Sequence, residues 1–284
     1  MKAFSSRSIQ NLEILQLLVL DAIFSLPISM KLLFQGGTCL RWVYNGTRYS
    51  EDLGFLGESV KRVDINELQR KLEKILEKRF IVQFGPGVME ASTSHKSSGR
   101  LHVIWIKYLR EGERRKMAVK IEIQEAEWNE AERSVLRHLP EVGRFLLEAM
   151  VRVPFGRSII QCAPVQEILA EKIKALLERP YIKGRDLYDI WFISQSLQIS
   201  IEPELVIERT QAYPGRFIPK RSLKYLQTAR GQKRLFAALT DLSRFVPPEE
   251  ITIMRKGGFK TILRSVDTII AELLAKGLNE KIIS

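Results

Sequence analysis

Phe34-Gln35-Gly36-Gly37-Thr38-Cys39-Leu40, followed by Arg48-Tyr49-Ser50-Glu51-Asp52-Leu53-Gly54-Phe55, decides how this chain is read. Two glycines and a hydroxyl stand at the entry to a short apolar helix, expected over 38–45. The Leu32-Leu33-Phe34 run leads into it as a buried strand or tight lead-in. After a turn marked by Asn45-Gly46, residues 51–57 alternate as a strand does. Leu53 and Phe55 share one face, Asp52 and Gly54 the other. Backbone N–H groups and a hydroxyl at a helix entry suit a phosphate. A carboxylate on the neighbouring strand suits a metal ion beside that phosphate. Gly54 stands where a second carboxylate would be expected.

Upstream, residues 8–26 read as a helix opened by Ser8 and closed before Pro27. Its apolar positions run round most of the circumference, so it should be buried. Gln16 and Asp21 interrupt it, and no apolar run reaches the ~18 residues that would span a membrane. Neither a signal peptide nor a membrane partner is expected. Cys39 and Cys162 lie far apart in apolar settings and make neither a zinc pattern nor a disulfide framework, which suits a cytoplasmic location.

Downstream, a surface helix is expected over 64–79, with Asp64 as N-cap, Glu67 three positions on, and Leu68, Leu72, Ile75 and Leu76 as its buried stripe. Strands are expected at 80–84, 101–106 and 117–123, joined by a Ser-rich loop at 91–99 and a charged turn at 110–116. Loop and helix are expected over 126–147, and a strand or two over 148–161. From Pro164 the pattern turns helical, with helices expected at 164–179, 185–196, 202–212, 219–228, 231–245 and 259–277. The expected class is α/β (α+β): a mixed or antiparallel sheet with flanking helices over 1–163, then a helical bundle over 164–284.

The chain has 45 Lys or Arg against 33 Asp or Glu, a formal charge of +12. Residues 209–260 concentrate that excess, with twelve basic residues and only Asp241, Glu249 and Glu250 as acids. Such a field favours polyanions, RNA or DNA, through counterion release. The alternative is an ordinary solvated face.

Three clusters could carry chemistry. Asp52 lies opposite the apolar face of its strand. Glu122 repeats this, with Val119, Ile121 and Ile123 facing one way and Ala118, Lys120 and Glu122 the other. Two such carboxylates on one sheet could share Mg²⁺, which takes one or two carboxylates plus substrate phosphates. Lys172 sits near the border of a buried helix face, where it could reach a triphosphate. Arg185 opposes the dipole of its helix and hints at an anionic partner. Asp186 and Asp189 lie one turn apart, although acids at a helix start also favour the dipole by themselves.

Taken together, these clusters resemble the AbiEii/AbiGii-type nucleotidyltransferase toxin family, within the DNA polymerase β-like superfamily. The stretch from Phe34 to Leu40 with Arg48 to Leu53 is similar to the family's opening motif. Lys120-Ile121-Glu122-Ile123 is similar to its later carboxylate strand. Ala170-Glu171-Lys172-Ile173 and Gly184-Arg185-Asp186-Leu187-Tyr188-Asp189-Ile190-Trp191 resemble its C-terminal motifs.

The resemblance implies nucleotidyl transfer from an NTP. Gly36, Gly37 and Thr38, with Arg48 and Ser50, would hold the nucleotide. Asp52 and Glu122 would bind Mg²⁺. Lys172 would contact phosphate, and Arg185, Asp186 or Asp189 would orient a substrate or act as base. It also implies a cognate antitoxin protein and an RNA acceptor, with tRNA suited to the basic segment 209–260. The family's strand usually reads Asp-x-Asp, and here it reads Asp52-Leu53-Gly54. The lost ligand keeps a second reading in play, a catalytically impaired member that still binds nucleotide or RNA. A metal-dependent nuclease built on Asp52, Glu122 and Lys120 ranks last, because it gives the Gly-Gly-Thr turn no work.

Overall fold

Leu32–Gln35 (β1) enters the glycine pair as a buried strand, and Gly36–Trp42 (α2) follows without a connecting loop. These coordinates come from a computed structural model, which describes residues 6–95 and 100–278. The chain packs as two units, Ser5–Ala163 and a second that takes in Pro164–Ser284.

The first unit opens with Ser6–Phe24 (α1), whose Leu15, Leu17, Leu18, Val19, Leu20, Ala22 and Ile23 are fully buried. Its two polar interruptions each anchor a neighbouring segment, although the Gln16 side-chain oxygen has no hydrogen-bond partner. The Gln16 amide donates to the Ser50 carbonyl at 2.7 Å. Asp21 accepts from Arg79 at 2.6 Å and from the Ser158 hydroxyl at 2.8 Å. After α2 come Asp52–Gly57 (β2) and Arg62–Phe84 (α3), then Gly87–His95 (β3), Leu101–Arg110 (β4), Met117–Glu125 (β5) and Glu132–Val135 (β6). Pro140–Glu148 (α4) and Ile159–Cys162 (β7) complete the unit.

Its seven strands make one mixed sheet in the order β3-β4-β5-β2-β1-β7-β6. The centre of the sheet sets the site. β2 pairs antiparallel with β1 and parallel with β5, so Gly54 lies between Gln35 and Glu122 while Asp52 lies beside Lys120. Leu53, Phe55, Ile121 and Ile123 bury the opposite face, where α1 packs on β5.

Local expectations in this unit are corrected. Residues 80–84 are the last turns of α3, not a strand. Phe80 and Phe84 extend the buried row of Leu68, Leu72 and Leu76 at four-residue spacing, while Ile81 and Val82 stay exposed. Phe80 and Tyr108 stack edge-on at 5.4 Å, which fixes the end of the helix on β4. The strand lies instead where a Ser-rich loop was expected. β3 pairs with β4 from Gly87 to His95, and residues 96–99 fall outside the described residues. The helix also starts earlier, with Lys61 as N-cap and Asp64 at the third position accepting from the Lys61 N–H at 2.8 Å.

The second unit is helical: Val165–Glu178 (α5), Gly184–Trp191 (α6), Pro203–Gln211 (α7), Leu223–Gln227 (α8), Ala229–Leu239 (α9), Pro248–Lys256 (α10) and Lys260–Ala275 (α11). α6 continues through a π-type turn at Phe192–Ser196, which accounts for the longer helix expected there. α10 was not expected. Its Pro247-Pro248 start reads as a breaker, yet proline fits the first turn of a helix. α6 packs on α5, α9 and α11, and Gly184 permits one of these approaches. A Cβ there would stand 2.3 Å from the Ala238 carbonyl oxygen.

Candidate active site

Gly36 carries φ +83°, a left-handed backbone that glycine adopts without strain, and this turns β1 directly into α2. The glycine pair and Thr38 therefore form the first turn of the helix, not a turn ahead of it. Gly37 has a different reason to be glycine. A Cβ built on it would lie 2.3 Å from Arg48 Nη2 and 2.9 Å from Ser50 Oγ. Three of the expected nucleotide-binding residues thus meet at one point.

Side chains from separate elements hold the segment that follows. Gln16 donates to the Ser50 carbonyl, Arg48 Nη1 donates to the Tyr49 carbonyl at 3.0 Å, and Thr38 Oγ1 donates to the Asp52 carbonyl at 2.5 Å. The Thr38 hydroxyl, expected at a phosphate, is buried and ties α2 to β2. What this turn presents is backbone N–H.

On the open face of the sheet, the Asp52 and Glu122 carboxylates converge on one cation. Lys120 Nζ lies 3.2 Å from Asp52 Oδ2 and 3.0 Å from Glu122 Oε1. Burial works against the lysine charge, but Glu122 and Asp52 outweigh it and hold the ammonium above the usual lysine range. Trp105 is the register partner of Lys120 across β4, and Lys120 Nζ lies 5.8 Å from its ring centre. Neither the bridging lysine nor the tryptophan was singled out from sequence as part of a nucleotide site. The strand alternation that placed Lys120 on the Glu122 face was the available signal.

Asp52 and Glu122 would be the donor set for a divalent ion. The lysine ammonium shows that two carboxylates reach a single positive charge, and Mg²⁺ needs no more than this once phosphates complete its shell. Among the described residues no group of three or more His, Cys, Asp or Glu could hold a metal by itself. One ion fits. A two-ion clamp would need a carboxylate at Gly54.

The helical unit gathers the remaining candidates. Lys172 Nζ lies 2.7 Å from Asp189 Oδ2 and 3.2 Å from Asp186 Oδ1, and Arg179 also pairs with Asp186. The two aspartates are almost wholly buried. Burial alone would raise the Asp186 carboxyl, but Lys172 and Arg179 outweigh it and hold it below the usual carboxylate range. That makes Asp186 a poor proton acceptor near neutral pH. The Arg185 guanidinium lies over the Phe245 ring at 5.2 Å. Arg209, counted in the basic segment, is buried and donates to Glu171 at 3.0 Å, so the outward field begins beyond it.

A family model described as nucleotidyl transferase AbiEii toxin, type IV TA system, matches residues 19–271. No curated protein sequence matches the chain. Among solved structures, a "putative nucleotidyltransferase from H. pylori" is 17% identical, with 99% of this chain and 98% of that one covered and a TM-score of 0.54. JHP933 from Helicobacter pylori is 13% identical, with 99% of each chain covered and a TM-score of 0.56. At these identities the structures support the fold. No helix of the described residues is long and apolar enough to cross a membrane.

Proposed function

The chain belongs to the AbiEii nucleotidyltransferase toxin family of type IV toxin–antitoxin systems, and from that premise we propose a Mg²⁺-dependent transfer of a nucleotide from an NTP to RNA, with tRNA as the acceptor class. The observation that carries the reading is the convergence of Asp52 and Glu122 on one cation at 3.2 and 3.0 Å, with Asp52 on the strand that Thr38 ties to the Gly36-Gly37 turn and Glu122 on the strand beside it.

In this scheme the Gly37 and Thr38 N–H groups and the Arg48 guanidinium receive the triphosphate. Ser50 and Arg48 both sit against Gly37. Asp52 and Glu122 hold the Mg²⁺, and Lys120 yields its place between them. When bound, Mg²⁺ supplies positive charge to the phosphates undergoing transfer. Within the helical unit, Lys172 and Arg185 are the proposed anion contacts, and Asp186 and Asp189 position Lys172. A separate antitoxin protein is the proposed partner.

The test is incubation of the full chain with labelled NTPs, MgCl₂ and unfractionated tRNA. Label should enter RNA and be lost with Asp52→Ala. No incorporation from any NTP would refute the reading. Gly54 favours a second one, in which the chain binds nucleotide without turning it over. Binding of NTP with no transfer would select it.

A further inference from the structure

The outward face of the sheet continues past the two carboxylates. In the order β4-β5-β2-β1, the Gly36-Gly37 turn lies on the β1 side of Asp52, and β4 lies beyond Glu122 on the other side. β4 sends Ile104, Ile106 and Tyr108 into the core, so Trp105 and Lys107 point the opposite way, onto the face of Lys120. Outward positions of such a strand are ordinarily polar. Here one of them carries a tryptophan, and the ring is only half-buried.

Short side chains flank that ring on the edge side. Ser92 faces Trp105 across β3, Ser94 follows on the same face, and both are exposed. Two cations stand beside the ring, with Lys107 Nζ at 6.0 Å and Lys120 Nζ at 5.8 Å from its centre. Glu90 is the register partner of Lys107, yet its carboxylate is taken by Lys116 at 2.5 Å. Lys107 makes no ion pair among the described residues. An accessible ring beside a cation suits a nucleotide of single-stranded RNA, whose base stacks on the ring while its phosphate meets the ammonium.

The place of the ring on the sheet says whose base it would take. In phosphoryl transfer the attacking and leaving oxygens stand roughly in line. With the triphosphate received at the Gly36-Gly37 turn, pyrophosphate departs toward β1, and the attacking ribose hydroxyl arrives from the β5–β4 side. Its oxygen bonds to the α-phosphorus of the NTP, the α–β bridging bond breaks, pyrophosphate keeps that electron pair, and the hydroxyl proton passes to water. β4 lies one strand spacing, about 5 Å, beyond β5. We propose that Trp105 is the stacking platform for the terminal base of the RNA acceptor, with Lys107 on the adjoining phosphate. The platform rests on the transfer reading above and names the part of the acceptor that this face holds.

The test uses the full chain with MgCl₂, labelled NTPs and unfractionated tRNA. Trp105→Ala should raise KM for tRNA about tenfold or more, with a smaller effect on kcat. Trp105→Phe keeps a ring and should stay within about threefold of wild type. NTP affinity measured without RNA should be the same in all three proteins, and Tm checks that the fold is kept. Lys107→Gln should reduce the salt slope of tRNA binding by roughly 0.7, the share of one single-stranded phosphate. In wild type, tRNA should quench tryptophan fluorescence, and Trp105→Phe should lose that quench. An unchanged KM in Trp105→Ala, or equal losses in the alanine and phenylalanine variants, would overturn the platform. Weaker NTP binding by Trp105→Ala with KM for tRNA unchanged would assign the ring to the NTP base and overturn the acceptor assignment. Quenching by tRNA without incorporation from any NTP would refute the transfer reading and support the platform, whereas no quenching in wild type would overturn the platform itself.

Discussion

Gly54→Asp is the most informative single change. The backbone of Gly54 is ordinary strand, and its Cβ would meet only the Gln35 carbonyl oxygen, at 3.3 Å. A few tenths of an ångström of adjustment admits it, at about 1 kcal/mol. The new carboxylate would stand beside Glu122 and two positions from Asp52. Without metal that is a like-charge cluster gathered around Lys120. At roughly 5 Å and an effective dielectric near 20, the bare repulsion is about 3 kcal/mol, and partial exposure brings it to about 1–2 kcal/mol. With the steric cost the total is about 2–3 kcal/mol, so in a unit of this size the variant should melt about 4–12 °C below wild type in EDTA.

MgCl₂ should reverse the loss. Saturation at about 100 times Kd returns about 2.7 kcal/mol. If the added ligand completes a clamp worth a similar amount in the transition state, the transfer rate rises about 100-fold. The assays are melting with and without MgCl₂, and label transfer to tRNA at fixed NTP. A variant whose Tm responds to Mg²⁺ no more than wild type does, and whose rate does not rise, would refute the assignment of Gly54 as a missing ligand position.

Gly37→Ala should keep the fold but displace Arg48 and Ser50, lowering NTP affinity about tenfold or more by calorimetry. Lys120→Met removes the internal cation, so Tm should fall in EDTA and rise more steeply with MgCl₂ than in wild type. Asp186→Asn leaves Lys172 and Arg179 underpaired in a buried site, a loss of about 3 kcal/mol or more that should show as roughly a 10 °C drop in Tm at pH 7. Because the folded Asp186 carboxyl is held low, its contribution is present above an unfolded value near 3.9 and is lost as pH falls through the lower folded value. The Tm gap between wild type and Asp186→Asn should therefore narrow below about pH 4, as followed by circular dichroism.

The elements that sequence read well are those whose pattern is local. The buried first helix, the 32–35 strand and the 52–57 alternation each declare themselves by apolar spacing. The errors share a cause. Phe80-Ile81-Val82-Gln83-Phe84 is β-prone in isolation, and it is helical because Phe80 and Phe84 continue the buried row of α3 and pack on Tyr108. The serines of β3 look like loop because that strand is recruited by a nine-pair register with β4. The site was legible as residue types but not as partners. Thr38 reads as a phosphate hydroxyl until its bond to the Asp52 carbonyl is seen. Arg209 reads as surface charge until Glu171 claims it.

The same distinction bears on what Gly54 and Lys120 mean together. A glycine in place of a carboxylate removes negative charge from the sheet face, and a lysine between the two remaining carboxylates adds positive charge. Both features lower the local demand for divalent cations. Yet Lys120 is only about a quarter exposed, and the partners that hold its charge are the groups proposed to bind Mg²⁺. Displacing it must therefore cost the differential interaction that raises its pKa. An incoming ion carrying NTP phosphates brings its own ligands and two charges, whereas a bare ion does not. Metal binding by this chain should accordingly be weak alone and strong with nucleotide, so that Mg²⁺ without NTP leaves the wild-type Tm nearly unchanged while the two together raise it. An equal rise with Mg²⁺ alone would show that Lys120 is no obstacle.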